Sequence, residues 1–367
     1  MKRKLWRRIA ALGTALMTLW VVTVTAGSAD LNDAVAAMRR ENPAKLLLQW
    51  ELPGFGDTLS FPAALVLGQS PALMSARQNM TVLHEDDSNH VSELSPAQLP
   101  DYAGGELTFA DNGVPAQTVI PNPAGYTAVN GVLVKNASNK TLDAALLSQP
   151  GFAAKFTETA PQVLIVHTHG SECYSLPIGE TCHSTGNYRS DDPEVSVIRV
   201  GDEIAAALSS YGISVLHDRT RHDDPYYEGA YERSAESIRA YLEKYPSITY
   251  VIDVHRDAVQ DSNGKQYKLV SREDPNCAQI SFVMGSNHEG WEENLKLAIA
   301  VSAAVSENHP TAMRPITLRN SNYNQHLSAG GLLVEIGAAG NSPDEAVQAG
   351  RVFAEGLAKS ILGNVGA

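Results

Sequence analysis

The sequence predicts an α/β domain over residues 160–364: a twisted mixed sheet, largely parallel, flanked by helices. Three observations carry that prediction. From Gln162 onward, short apolar runs rich in β-branched residues alternate with helix-length segments, the pattern of βαβ units. Two of those runs, VLIV from Val163 and LLVEI from Leu332, are near-continuous in apolar residues, as strands buried on both faces are. Each of three runs carries histidine or a carboxylate at or just past its end, where ligands gather in α/β sheets.

Taken in order, the chain opens with Lys2, Arg3, Lys4, Arg7 and Arg8 ahead of an uncharged apolar run from Ile9 to Ala29. That is an export signal spanning 1–30. It is either a membrane anchor or a peptide cleaved near Ala26, Gly27, Ser28 and Ala29, and it places everything after Asp30 outside the cytoplasm. Residues 31–104 read as stalk and linker, helical at first, broken by Pro43 and then poor in periodicity. Over 105–155, alternating segments joined by Asn-Gly and Asn-Pro turns predict a small β-rich region. The α/β domain follows. Strands are expected over 163–168, 212–217, 248–254 and 278–285, with one more ending near Glu335. Helices are expected over about 194–210, 230–244, 290–307 and 343–362. The last helix is announced by Ser342-Pro343-Asp344-Glu345, a cap residue, a first-turn proline and first-turn acids.

The 367 residues, 43% hydrophobic, are enough to bury a full core, and a net charge of −13 argues against nucleic acid as a partner. Three cysteines exclude a disulfide-built scaffold. Cys173 and Cys182 pair with each other, stay free, or serve as ligands; Cys277 stands alone in a polar turn.

The chemistry concentrates in HTHGSE from His167, DVHRD from Asp253 and LLVEIG from Leu332. Two histidines and a carboxylate are the usual protein ligands of a catalytic zinc, and a further glutamate then acts as base. His169, Glu172 and His255 are the candidate ligands. Glu335 lies where the pattern predicts burial, and a buried carboxylate requires a metal, an arginine or a proton. His167 shares the strand face of His169 and reads as pocket wall or outer contact, and Asp253 as a group that orients its neighbours. Each element also has a plainer reading, since a histidine at a strand end is commonly a hydrogen-bonded surface residue.

The motifs HTHGSE, SVIRVGDEIAAAL, HDRTRHDDPYYEGAYERS, YPSITYVIDVHRDA, RPITLRNSNYNQHLS and LLVEIGAAGNSPDEA together resemble the stage II sporulation protein P family of endospore-forming Firmicutes, over roughly Val163 to Leu362. The resemblance implies a zinc-amidase fold and a Zn2+-dependent N-acetylmuramoyl-L-alanine amidase, with a second peptidoglycan endopeptidase activity. It implies work during forespore engulfment, on peptidoglycan, from the membrane-anchored position between the forespore and mother-cell membranes. The implied partners are the stage II sporulation proteins D and M. Zinc falls on His169 and His255 and the base on Glu335. The third ligand is Glu172, which keeps the H-x-x-E spacing, or Glu194, nearer the first helix. Gly170 stands where the family often carries threonine, and CYSLPIGETCHSTG looks like an insertion.

Arg256, Arg319, Asn320, Asn322, Tyr323 and Asn324 are the candidate substrate contacts. Two rival readings remain at this stage. One is an H-x-x-E zinc carboxypeptidase trimming stem peptides, with Arg256 or Arg319 on the substrate carboxylate. The other is an inactive peptidoglycan-binding module.

Overall fold

A computed structural model describes residues 108–109, 114–151, 160–177, 180–186, 188–260 and 266–363, all within the unit Ser88–Ala367. The expected anchor over 1–30 and the stalk over 31–104 lie outside the described residues. Among those described, no helix is long and apolar enough to cross a membrane.

The elements run β1 (Thr108–Phe109), β2 (Pro115–Gln117), β3 (Thr127–Val129), β4 (Val132–Ala137), the short α1 (Ala144–Leu147) and β5 (Val163–Val166). Then come β6 (Ser184–Gly186), β7 (Arg189–Ser190), a 3-10 turn at Pro193–Val195, α2 (Val197–Ser210), β8 (Val215–His217) and α3 (Ala230–Lys244). β9 (Tyr250–Asp257), β10 (Lys268–Leu269), β11 (Ile280–Gly285), α4 (Trp291–Asn308) and β12 (Ile316–Arg319) follow. A 3-10 turn at Gln325–Leu327, β13 (Gly330–Ala338) and α5 (Pro343–Gly363) complete the order.

Eight strands form one sheet in the order β3-β4-β12-β11-β13-β9-β5-β8. It is parallel except at β3–β4 and β11–β13. The fold is therefore mixed α/β with a mostly parallel sheet. The central strands β9 and β13 are buried along their whole length, which is why their sequences read as near-continuous apolar runs. Their side chains alternate between two faces. Val163, Ile165, Tyr250, Ile252, Val254, Leu332, Val334 and Ile336 point to one face and pack with α2, α4 and α5. Leu164, Val166 and Val251 point to the other, where Ile238 of α3 covers them.

The helix termini follow from their sequences. Ser196 caps α2 by accepting from Ile198 N–H. At α5, Glu345 N–H donates to Ser342 Oγ while Ser342 N–H donates to Glu345 Oε2, the reciprocal pair of a capping box. Gly201 of α2 sits where a Cβ would lie 2.6 Å from Nε2 of both His167 and His217, so only glycine lets the helix close onto that histidine pair.

Two expectations need correction. The 105–155 stretch does not stand apart as a small β-rich region, because β4 pairs in parallel with β12 and extends the main sheet. Val132 and Val134 join the main core, and that burial draws the segment in. β2 goes to a second, three-stranded sheet with β1 and β10. β12 itself was not among the expected strands: Ile316 and Leu318 alternate with Thr317 and Arg319 over only four residues, too short a period to read.

Phe353 of α5 is fully buried and meets Phe282 of β11 edge-on, with ring centroids 6.0 Å apart. Phe353→Ala is expected to destabilise the domain by about 3–5 kcal/mol, read as a lower urea midpoint at unchanged slope. A midpoint equal to wild type would contradict this packing.

Candidate metal centre and active site

The site lies on the sheet face that α3 covers. His255 and Glu335 occupy paired positions on the adjacent parallel strands β9 and β13. With Asp253 two residues before His255, three polar groups share one face by strand periodicity alone. Neither His255 nor Glu335 ends its strand; both lie inside it, and the ladder shifts register between Glu335 and Ala338.

The fourth component comes from the turn after β5. Thr168 N–H donates to Asp253 Oδ1 at 2.8 Å and its hydroxyl to Asp253 Oδ2 at 2.6 Å. Ser171 N–H donates to Asp223 Oδ1 at 3.1 Å, and its hydroxyl also donates to that carboxylate. These bonds fold the turn so that His169 and Glu172 reach back over His255. Gly170 permits it: a Cβ there would lie 3.0 Å from Arg221 Cα, which accounts for glycine at this position.

One ligand atom from each of His169, Glu172 and His255 falls within 4.8 Å of the others. Glu172 bridges the two rings, with Oε1 3.5 Å from His169 Nδ1 and Oε2 3.4 Å from His255 Nδ1. His255 Nε2 lies 3.0 Å from Asp253 Oδ1. Glu194, the alternative third ligand, is exposed in the 3-10 turn before α2 and does not join the group.

The electrostatics ask for a cation. Burial opposes charge on His255, yet the flanking carboxylates of Asp253 and Glu172 hold its ring protonated well above the usual histidine range. Burial likewise opposes charge on Glu172, but Arg256 and the two histidines hold its carboxyl well below the usual range. Glu335 goes the other way: burial first and the Asp257 carboxylate second push it up to about 8. Its Oε2 is buried without a hydrogen-bond partner among the described residues. Two ring nitrogens, a carboxylate oxygen and an orphaned carboxylate beside them fit a divalent metal with N/O preference.

Other expected site residues are placed differently. His167 does not share a face with His169, because the strand ends at Val166 and its alternation stops there. His167 turns toward α2: Nδ1 lies 3.0 Å from Val254 O and Nε2 2.8 Å from His217 Nε2. Burial first and His217 second bring it down to about 3. Arg256 is not a free substrate contact. It is 7% exposed, and its Nε and Nη2 donate to the carbonyls of Cys173 and Tyr188, tying those two backbone positions to β9. Asn320 is exposed and accepts from Asn139 N–H.

Tyr323 and Asn324 line a cleft of about 440 Å³ between α3 and the 321–326 segment, together with Asn322, Tyr231, Arg239 and His326. Arg319 and Asn320 are not among its lining residues. Asn324 donates to Tyr231 O and Ser234 Oγ, which fixes the cleft wall.

Sequence reasoning missed four contributors. Thr168 and Asp223 hold the ligand turn, while Tyr227 and Tyr231 pack on His169 with ring centroids 4.6 and 5.6 Å away. The clustered tyrosines of DDPYYEGAY, just before and inside α3, were the available signal. All three cysteines are free thiols, Cys173 being buried and pushed up to about 11.

Comparison with known proteins bears on this geometry. The family model for Stage II sporulation protein P (SpoIIP) matches residues 84–358. A curated relative, Stage II sporulation protein P of Bacillus subtilis (strain 168), is 28% identical over 206 residues, 53% of this chain and 49% of the relative. The chain thus spans about half the length of that relative. Among solved structures, the N-acetylmuramoyl-L-alanine amidase AmiC2 of Nostoc punctiforme aligns with TM-score 0.32 and 18% identity over 55% of this chain and 96% of that one. The CwlD amidase from Clostridioides difficile, solved in complex with the GerS lipoprotein, aligns with TM-score 0.36 and 12% identity over 55% and 98%. On the family match, which spans well over half of its length, the chain belongs to the stage II sporulation protein P family.

Proposed function

We propose that this domain is a zinc-dependent peptidoglycan amidase that hydrolyses the bond between the lactyl group of N-acetylmuramic acid and L-alanine of the stem peptide. The observation that carries the reading is the convergence of His169, Glu172 and His255 with buried Glu335 at the paired position beside His255. Those three residues would hold Zn2+. When bound, the ion polarises a carbonyl and brings the pKa of water toward neutrality.

The chain's own residues account for the remaining steps. Glu335 Oε2, which has no hydrogen-bond partner among the described residues, takes the proton of the hydrolytic water and passes it to the departing amide nitrogen. Asp253 holds His255 in place from the side away from Glu172. Tyr227 and Tyr231 wall off His169 from solvent, and the cleft beside Tyr231 receives the substrate chain. Family membership and the basic, then apolar, N-terminus support a membrane-anchored protein acting outside the cytoplasm in forespore engulfment, with the stage II sporulation proteins D and M as partners.

Mass spectrometry of muropeptides released from purified sacculi tests the reaction. The amidase yields free stems beginning with L-alanine, a carboxypeptidase single terminal residues, and a binding module nothing. His169→Ala, Glu172→Ala and His255→Ala are each expected to lose both bound zinc and stem release, while Glu194→Ala keeps both. Glu335→Gln is expected to retain zinc and lose at least about a hundredfold in rate. Unchanged stem release by His169→Ala would sink the reading. Asp253→Asn is expected to weaken zinc binding roughly 10–100-fold in a chelator competition.

Glu335 also makes a pH-dependent prediction for chelator-treated protein. Its carboxyl rises from 4.5 to about 8 on folding, through burial and Asp257. The folded state therefore binds this proton more tightly, and the associated stability, full below pH 4.5, is lost as the pH rises toward about 8. Glu335→Gln is expected to melt above wild type beyond pH 8 and to show no such advantage below pH 4.5. An equal difference at both ends would exclude a raised Glu335.

A further inference from the structure

Arg314, just before β12, buries its guanidinium against Asp257, which lies two residues after His255 on β9. Its side chain is only 9% exposed, and Nη1 donates to Asp257 Oδ2 at 2.7 Å. Nε and Nη2 are buried with no hydrogen-bond partner among the described residues. Those two nitrogens are not an arbitrary pair. In a planar guanidinium, the Nε and Nη2 hydrogens lie parallel along one edge, the fork that matches the two oxygens of a carboxylate. Charged donors left unpaired in the interior are costly, so this edge calls for an acceptor that none of the described residues supplies.

The backbone puts Arg314 beside the strand that carries Glu335. Arg314 N–H donates to Ile280 O, and Ile280 pairs across β11–β13 with Ile336, the residue after Glu335. Asp257, which holds the third donor, pairs across β9–β13 with Ala338. The Arg314–Asp257 pair thus reaches across β13 just beyond Glu335, whose Oε2 likewise has no partner among the described residues. Arg256, the arginine the sequence first offers for a substrate carboxylate, has its Nε and Nη2 committed to Cys173 and Tyr188.

We propose that the free edge of Arg314 binds a carboxylate of the peptide substrate in a bidentate pair and so sets the peptide's position relative to Glu335. That the peptide is a cell-wall stem rests on the amidase reading above; the carboxylate fork does not. The carboxylate comes from an acidic side chain or from the peptide's C-terminus. A carboxamide in its place would offer one oxygen to two donors and set an amide N–H against the other, so the site discriminates against amidated peptides.

Calorimetry on the zinc-loaded full chain carrying Glu335→Gln, which prevents turnover, tests this directly. The probes are N-acetylmuramyl tripeptides in four forms: both carboxylates free, the side-chain one amidated, the C-terminal one amidated, and both amidated. With Arg314 intact, amidating one of the two is expected to weaken binding roughly tenfold or more. In Arg314→Lys, which keeps the charge beside Asp257 but not the fork, and in Arg314→Met, that ratio is expected to fall to about one. The ratio is taken within each preparation, so a partly unfolded variant still reports it. No dependence on either carboxylate with Arg314 intact, no measurable binding of the form with both free, or a dependence that survives in both variants would overturn the proposal. Stem release by the unmodified chain is scored separately. Its absence alongside Arg314-dependent binding rejects the amidase reading and leaves the carboxylate site standing. Release of single residues with C-terminal dependence reassigns the chemistry to a carboxypeptidase and also leaves the site standing.

Discussion

The carboxylate of Asp253 is buried on the central strand β9, and the geometry of the site hangs on how it is satisfied. A lone buried charge is costly, so it gathers donors from whatever lies near. Here it takes the N–H and hydroxyl of Thr168 and sits against Nε2 of His255. One side chain therefore holds the turn that carries His169 and Glu172 and, at the same time, the ring of the facing histidine. Charge-assisted bonds of this kind are short and directional, which is how a turn beyond a strand end becomes as well placed as residues inside the sheet.

Around that anchor the charges are arranged in opposition. Glu172 and Asp253 flank His255 and retain a proton on it, while burial and Asp257 keep Glu335 protonated in the chain by itself. Glu172 is held well below the usual carboxylate range against its burial, by Arg256 and the two histidines, so two neighbouring carboxylates, Glu172 and Glu335, are pushed apart, one toward ligand and the other toward base. Arg256 and Arg314 contribute in unlike ways. Arg256 has Nε and Nη2 on the backbone carbonyls of Cys173 and Tyr188, whereas Arg314 has one donor on Asp257 and an edge with no partner among the described residues.

Much of this was legible beforehand because strands impose a period of two. LLVEIG and DVHRD declare strands whose apolar residues face the core at alternate positions, so a glutamate and a histidine within them had to meet the opposite face. The helices were equally plain: the helical spacing placed α3 at Ala230–Lys244, and the capping residues placed the start of α5 at Pro343. The period misled where the strand stopped. His167 and His169 are two apart, but β5 ends at Val166, and the first histidine turns to His217 while the second turns to His255. β4 and β12 were harder, because a short strand is defined by the partners it finds and not by its own composition.

What the sequence by itself determined is the fold class, the family, and the residue types that carry the chemistry, since these follow from apolar period and from motifs contiguous in the chain. Only the tertiary structure decided which of them meet. Glu172 over Glu194, Thr168 and Asp223 as the turn's anchors, Tyr227 and Tyr231 against His169, and the open edge of Arg314 all depend on contacts between segments tens of residues apart. No local pattern encodes those distances. They arise when a buried charge must find its partner, and the partner it finds is set by how the strands pair.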